Sequence, residues 1–296
     1  MGEITKIGWT DASMNFWLGC TRVSEACRFC YAEVLAARFN MVEWGLGKPR
    51  KRTSVHNWNA PYRWNRKAEK LGKPTRVFCQ SMSDFLDNEV PDEWRAEAWP
   101  IIRDTKWLRW MILSKRIGNA EKMLPPDWGP EYSHVGFMAT IANQQEADRD
   151  IPKLLALKGN RKVSWVGISV EPMLGPVDLT DHLREYERLM DAADYAGAMD
   201  WPGCGQAMYA SGYKLDLAIV GGESGDKTKV RSTDIANIRA LRDQCRDSSV
   251  AFFCKQLGRK PTLNGAPYPI KEASGLDMGE WPEDIRIQEM PMQLQK

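Results

Sequence analysis

No stretch of this 296-residue chain approaches the roughly 20 consecutive apolar residues that a membrane span requires. Its first residues, MGEITKIGWTDASMNF, lack a basic start followed by an apolar core, so no secretory leader is expected. Gly2 would invite N-myristoylation, but Lys6 stands where Ser or Thr belongs. The expectation is a cytoplasmic protein with no membrane partner. Internal repeats and coiled-coil heptads are missing as well, which sets aside solenoids and long fibres. An apolar share of 43% against 27% charged residues excludes a wholly disordered chain. The length suits one large α/β barrel or two ordinary domains.

What is present is unevenly spread. Three of the seven cysteines, Cys20, Cys27 and Cys30, crowd into eleven positions. In a reducing compartment such a cluster points to metal rather than to disulfides. Charge is segregated too. Positions 48–76 carry ten cations against the single acid Glu69, a net +9, which leaves −7 for the rest of the chain.

Short β-type apolar runs alternate with longer helical stretches. Candidate strands lie at 76–80, 110–113, 135–140, 164–170, 215–220 and 250–254, with 16–19 as a first strand before Cys20. Candidate helices lie at 33–39, 91–104, 144–157 and 233–246. Strand and helix in repetition, about seven times, predict a parallel sheet wound as a complete or partial (β/α) barrel. Residues 1–296 are read as one such domain, with insertions at about 40–75 and 181–213 and an irregular Pro- and Gly-rich tail after Gly258.

Cys20-x6-Cys27-x2-Cys30 follows the proposed first strand. The Cys-x2-Cys pair puts two thiolates on one tight turn, and the third returns from the other end of the loop. Three thiolates on a four-iron cluster leave one iron open to an outside ligand. A structural zinc would want a fourth protein ligand. No second Cys-x2-Cys or His-x3-His supplies one, although His56, Cys79 or Cys204 is each available as a single donor.

Residues 9–33, WTDASMNFWLGCTRVSEACRFCYAE, resemble the opening of a phage-encoded three-cysteine-motif family, a divergent branch of the radical S-adenosylmethionine (SAM) enzymes. Further blocks resemble that family in order: Ser81-Met82-Ser83-Asp84, Leu113-Ser114-Lys115-Arg116, Ser169-Val170-Glu171-Pro172, Gly221-Gly222-Glu223-Ser224-Gly225 and Lys255-Gln256-Leu257-Gly258. The wider superfamily spaces its cysteines Cys-x3-Cys-x2-Cys, and the first gap is longer here. The resemblance implies a [4Fe-4S] cluster on the three cysteines, its open iron chelated by SAM. An external one-electron reductant then drives cleavage of SAM to a 5′-deoxyadenosyl radical that takes hydrogen from the substrate.

In such a barrel the site forms at the C-terminal strand ends. Tyr31 is expected beside the adenine, with packing under the loop as the plainer role. Ser81, Ser83 and Asp84 are candidates for the SAM amino group, or else caps of a turn. Lys115, with Arg116, is a candidate grip on the SAM carboxylate or a substrate phosphate. Ser169 and Glu171 are placed against the ribose, and Gly221 and Gly222 allow close backbone approach beside Glu223. Lys255 would close the substrate side. Lys115, Glu223 and Lys255 are the catalytic candidates.

Aromatics interleave with the cations of 48–76. Arg50, Lys51, Arg52, Trp58, Arg63 and Trp64 are expected to contact nucleic acid, cations on phosphates and rings on bases. The plainer alternative is a solvated helical face whose tryptophans pack onto the barrel. The expected substrate is a nucleobase in phage DNA, flipped if it lies in a duplex. The first specific expectation is an isomerase that rearranges an amino-acid substituent on a hypermodified thymine. The alternatives are a SAM-dependent photoproduct-type repair lyase and a zinc-stapled, non-enzymatic nucleic-acid-binding protein.

Overall fold

Runs such as Val-Gly-Phe-Met-Ala-Thr are buried from end to end, as expected of strands covered on both faces. In the computed structural model, which describes residues 3, 5, 7–161, 163–183 and 214–295, they build one sheet. In chain order the strands are β1 (Ala12–Met14), β2 (Trp17–Leu18), β3 (Lys51–Arg52), β4 (Thr75–Cys79), β5 (Leu108–Ser114), β6 (Val135–Thr140), β7 (Val166–Val170), β8 (Leu217–Gly221), β9 (Thr233–Asp234), β10 (Ala251–Gln256), β11 (Pro261–Leu263) and β12 (Ala266–Pro267). The helices are α1 (Tyr31–Arg38), α2 (Val55–Trp58), α3 (Ala60–Leu71), α4 (Asp92–Asp104), α5 (Ala120–Met123), α6 (Gln144–Arg161) and α7 (Ile235–Asp247), with short 3-10 turns between.

Seven strands, in the order β1-β4-β5-β6-β7-β8-β10, form an all-parallel sheet. Spatial order follows chain order throughout, which is the winding of a barrel rather than of a doubly wound sheet. The edge strands β1 and β10 do not pair, so the barrel is partial. The tail covers the β10 edge: Cys254 N donates to Ile287 O at 2.8 Å and Glu289 N to Phe252 O at 2.9 Å. An edge that would otherwise invite another chain is thereby blunted. Among the described residues no helix is long and apolar enough to cross a membrane.

Alternation along the strands splits the core in two. Val77, Trp110, Ile112, Phe137, Ile168 and Val220 face the helices and join the larger core. Phe78, Met111, Met138, Ile219 and Phe253 face the concave side, where Trp9, Trp165 and Leu294 of the tail fill the bottom of the half-barrel. Gly136 is required there, since a Cβ would lie 1.9 Å from Cε2 of Trp165. The same alternation, carried past the apolar rows, brings Gln80, Thr140 and Ser169 to the concave face at the C-terminal strand ends.

One expectation needs correction. The first sheet strand is Ala12–Met14, not 16–19; Trp17–Leu18 instead pairs antiparallel with Lys51–Arg52 in a separate ribbon. The segment 40–75, expected as an insertion, runs between two strands of the sheet. It belongs to the crossover from β1 to β4, and Trp64 and Ala68 of α3 are buried. The second predicted insertion, 181–213, lies mostly outside the described residues.

Candidate active site at the strand ends

The cysteine loop leaves β2 through Gly19, whose φ of +98° suits glycine, and returns into α1. Within it, the 3-10 turn Glu25–Cys27 is capped by Ser24, whose Oγ accepts from Ala26 N at 3.0 Å. Cys20, Cys27 and Cys30 all line one cavity of about 360 Å³ on the concave side of the sheet.

Arginines from distant parts of the chain hold this loop. Arg116, after β5, donates through Nη1 to Cys20 Sγ at 3.3 Å and through Nη2 to Thr21 O at 2.8 Å. Asp84 fixes that arginine at 3.1 Å. Arg231 donates through Nη2 to Glu25 O at 3.1 Å, while its Nε meets Glu223 Oε2 at 3.1 Å. Arg50 reaches Thr21 Oγ1 at 2.7 Å. Sequence reading missed Arg231 altogether, because its partners lie eight and 206 residues away.

Burial, with Asp84 adding to it, pushes the Cys20 thiol up to about 12. Arg116 opposes the shift without overcoming it. Such a thiol ionises when a bound metal supplies the missing positive charge. Among the described residues no three His, Cys, Asp or Glu side chains gather closely enough to hold one ion. A four-iron cluster takes each thiolate on a different iron, so its ligands need not converge on one point. Three soft donors spread over one cavity wall fit a cluster with an open iron better than a four-ligand zinc. Cys79, Cys245 and Cys254 are buried, and burial raises their thiols as well. They are packing residues.

Opposite the loop, the predicted strand-end residues do converge. Tyr31, Ser81, Ser83, Asp84, Lys115, Ser169, Glu171, Gly222, Glu223 and Lys255 all line the cavity, whereas Gly221 sits behind Glu171. Their hydrogen bonds separate them into two kinds. Asp84 is fully engaged, accepting from Ser114 Oγ at 2.7 Å, Leu86 N at 2.9 Å, Lys115 N at 3.2 Å and Arg116. Glu223 is gripped by Arg231, and Ser83 Oγ points to Trp17 O and Gln80 Oε1, both at 3.0 Å. Lys255 Nζ and Gln256 Nε2 converge on Glu171 Oε1. Gly222 packs on the chain at 257–258, and a Cβ there would lie 2.1 Å from Leu257 O.

Other groups carry no such load. Neither Lys115 Nζ nor Ser169 Oγ has a hydrogen-bond or ion-pair partner among the described residues. Ser81 Oγ accepts from Asn15 Nδ2 at 2.9 Å and keeps its own proton free. Tyr31 donates to Ser81 O at 2.7 Å, bridging the cysteine loop to the end of β4. Gln80, which is 2% exposed, holds Phe16 N and Ser83 with its carbonyl oxygen, and its Nε2 has no partner among the described residues. Trp9, Phe78 and Leu113 make the apolar wall, with Thr140 beside them. Thr140 belongs to no motif in the sequence, and Trp9, although it opens the 9–33 block, has no expected site role there.

The predicted nucleic-acid residues fare differently. Arg50 is 6% exposed and ion-paired to Asp87 at 2.8 Å and Glu89 at 3.0 Å, so it is a core residue rather than a phosphate contact. Trp58 and Trp64 are each 5% exposed and offer no face to a base. Trp58 donates to Phe16 O at 3.0 Å and lies 4.9 Å from the Phe16 ring, centre to centre. Lys51, Arg52 and Arg63 remain exposed, but Arg52 forks onto Glu97 and stacks over Trp58, and Lys51 donates to Met41 O at 3.0 Å. Arg63 contacts His56. None of these residues lines the cavity.

A sequence model for a protein of unknown function, DUF5131, matches residues 4–283. The chain belongs to the DUF5131 family. No curated protein sequence matches it. Among solved structures it is similar to two mutants of spore photoproduct lyase. For a cysteine-to-alanine mutant with dinucleoside spore photoproduct, the TM-score is 0.37 at 15% identity, over 77% of this chain and 59% of that one. For a double mutant with bound AdoMet and dinucleoside spore photoproduct, the TM-score is 0.40 at 14% identity, over 80% and 72%. This member of the DUF5131 family thus spans less than two thirds of the first of these chains.

Proposed function

We propose that this chain is a radical SAM enzyme in which Cys20, Cys27 and Cys30 hold a [4Fe-4S] cluster. The observation that carries the reading is the meeting of three thiols and a set of polar strand ends around one cavity. When bound, the cluster supplies the electron, received from an external reductant, that cleaves SAM and starts hydrogen abstraction from substrate.

The chain's own task is to orient and to exclude water. Lys115, free of ion pairs, takes the SAM carboxylate as a point charge. Ser81, whose Oγ keeps one lone pair to accept with, meets the amino group, while Ser169 and Glu171 face the ribose. Tyr31 closes the adenine side. Asp84 and Glu223 act indirectly: each fixes an arginine that clamps the cysteine loop, so they are positioning residues. Lys255, held by Glu171, stands on the substrate side. Trp9, Phe78 and Leu113 keep water from the reacting carbon.

The substrate we favour is a nucleobase in DNA, with rearrangement of a substituent on modified thymine as the first reaction to test and photoproduct reversal as its rival. Neither reaction changes the total mass of the DNA. The isomerase alters one modified thymine and leaves linked pairs alone, whereas the lyase turns a linked thymine pair into two thymines, so the digested nucleosides tell them apart. The deciding experiment is anaerobic reconstitution with iron and sulfide assay, followed by SAM and reductant. About four irons per chain, lost in Cys27→Ala, and release of 5′-deoxyadenosine are expected. Zinc at one per chain without SAM cleavage would overturn the reading.

A further inference from the structure

A second, shallower concavity opens beside the cavity, and its lining is basic. Val23 of the cysteine loop, Asn88, the turn Ile117–Asn119 and one face of α6 enclose about 290 Å³. Lys115 and Arg116 line both spaces. On α6, Arg149 Nη2 meets Asp150 Oδ2 at 2.6 Å and Lys153 Nζ meets Oδ1 at 3.2 Å. The Asp150 side chain is 5% exposed, whereas both cations are 46% exposed. One buried carboxylate thus holds two cations at the rim without cancelling them. Lys153 also lies along Gly118, its Cδ 3.5 Å from where a Cβ would stand. Asp150 is the sole acid in this lining, and Arg116 is neutralised by Asp84. Lys115 adds a further unpaired charge.

We propose that this concavity holds a backbone phosphate of a nucleic-acid chain whose target base enters the neighbouring cavity. The proposal rests on the nucleic-acid reading above and names where that substrate is gripped. Phosphate contacts fix register, and base contacts follow from it. Arg149 and Lys153 are presented by a helix that carries its own fixed counter-charge, so their positions are set before the ligand arrives. Lys115 forms the wall between the two spaces and can face either. None of the exposed cations of α3 lines either space.

The test is binding of a short thymine-rich single-stranded oligonucleotide by fluorescence anisotropy across a salt series. The variant is Arg149→Gln, Asp150→Asn and Lys153→Gln together, which removes both cations without leaving the buried carboxylate unpaired. The control is Arg66→Gln with Lys70→Gln on α3, which removes more net charge. The triple variant is expected to bind about tenfold or more weakly, with a salt slope shallower by about 0.7, the share of one phosphate on a single strand. The control is expected to bind as the parent does. If the triple variant misfolds, Lys153→Gln alone should weaken binding and flatten the slope by about half of that amount. Equal or greater loss in the control, or no loss in either basic-concavity variant, overturns the proposal. Binding needs neither iron nor SAM. A parent that takes up iron and cleaves SAM while the variants bind normally sinks this site alone. A parent that takes up no iron while the variants lose binding sinks the enzyme and keeps the site.

Discussion

Two basic regions of this chain look alike in charge and differ in fate. Positions 48–76 hold the densest run of cations in the sequence, yet its first arginine, Arg50, has a side chain 0% exposed against a fully buried Asp87. Around the strand-end cavity the cations are fewer and far apart in sequence. There, Arg149 and Lys153 stay half exposed and Lys115 has no ion pair among the described residues. Density of charge along a sequence says little about availability. What decides is whether the fold supplies a carboxylate, and whether that carboxylate leaves the cation at the surface.

The comparison breaks most readily at Arg50. Arg50→Ala strands Asp87 in the core and removes donors to Gly45 O, Lys48 O and Thr21 Oγ1. A loss of about 3–5 kcal/mol in urea-unfolding stability is expected. Arg66→Ala, on the exposed face of the same segment, should stay within about 0.5 kcal/mol. Equal losses would erase the distinction between a buried and a solvated cation in this run.

A smaller effect separates the two acidic partners of Arg231. Glu223 is buried and grips the guanidinium, whereas the Glu25 side chain is 66% exposed and 3.4 Å away. Glu223→Gln weakens a charged, desolvated contact and should lose about 1.5–3 kcal/mol. It should also raise amide exchange in the cysteine loop, which Arg231 ties down through Glu25 O. Glu25→Gln should change stability by less than about 1 kcal/mol. Exchange rates in the loop that are unmoved by Glu223→Gln would show that the strap does not hold it.

These residues mark where the sequence was legible. Six sheet strands were readable because each is an apolar run buried on both faces. The first was misread because Phe16 and Trp17 look more strand-like than Ala12-Ser13-Met14, although only the latter reach the β4 edge. The cysteine loop and the polar strand ends were readable because local spacing carries them. Arg231, Arg116 and Arg50 as clamps were not, since a salt bridge across 30 to 200 residues leaves no periodic mark. Trp58 and Trp64 were ambiguous for a similar reason. An aromatic between cations serves a base or a core equally well until its helix is docked.

The smallest expected effect lies on the tail that covers the β10 edge. Arg239 and Arg242 of α7 converge on Asp284, with Arg239 Nε 2.8 Å from Oδ2, and hold its carboxyl down at about 2. A carboxyl lowered by folding stabilises the folded state above its ordinary value of 3.8 and loses that contribution as pH falls through about 2. Because the Asp284 side chain is 43% exposed, solvent screens the pair, and the contribution is at most about 1 kcal/mol. Asp284→Asn should therefore lower stability slightly at pH 7, and the gap to the parent should close between about pH 4 and pH 2. The relevant measurement is a set of unfolding curves across that range. Asp284 resembles Asp150 in gathering two arginine or lysine cations on one carboxylate, but it lies away from the cavity. A persistent gap at pH 2 would mean that the tail is held by Trp281 and Ile285 packing rather than by charge, and that paired cations on this surface are ornaments of the fold.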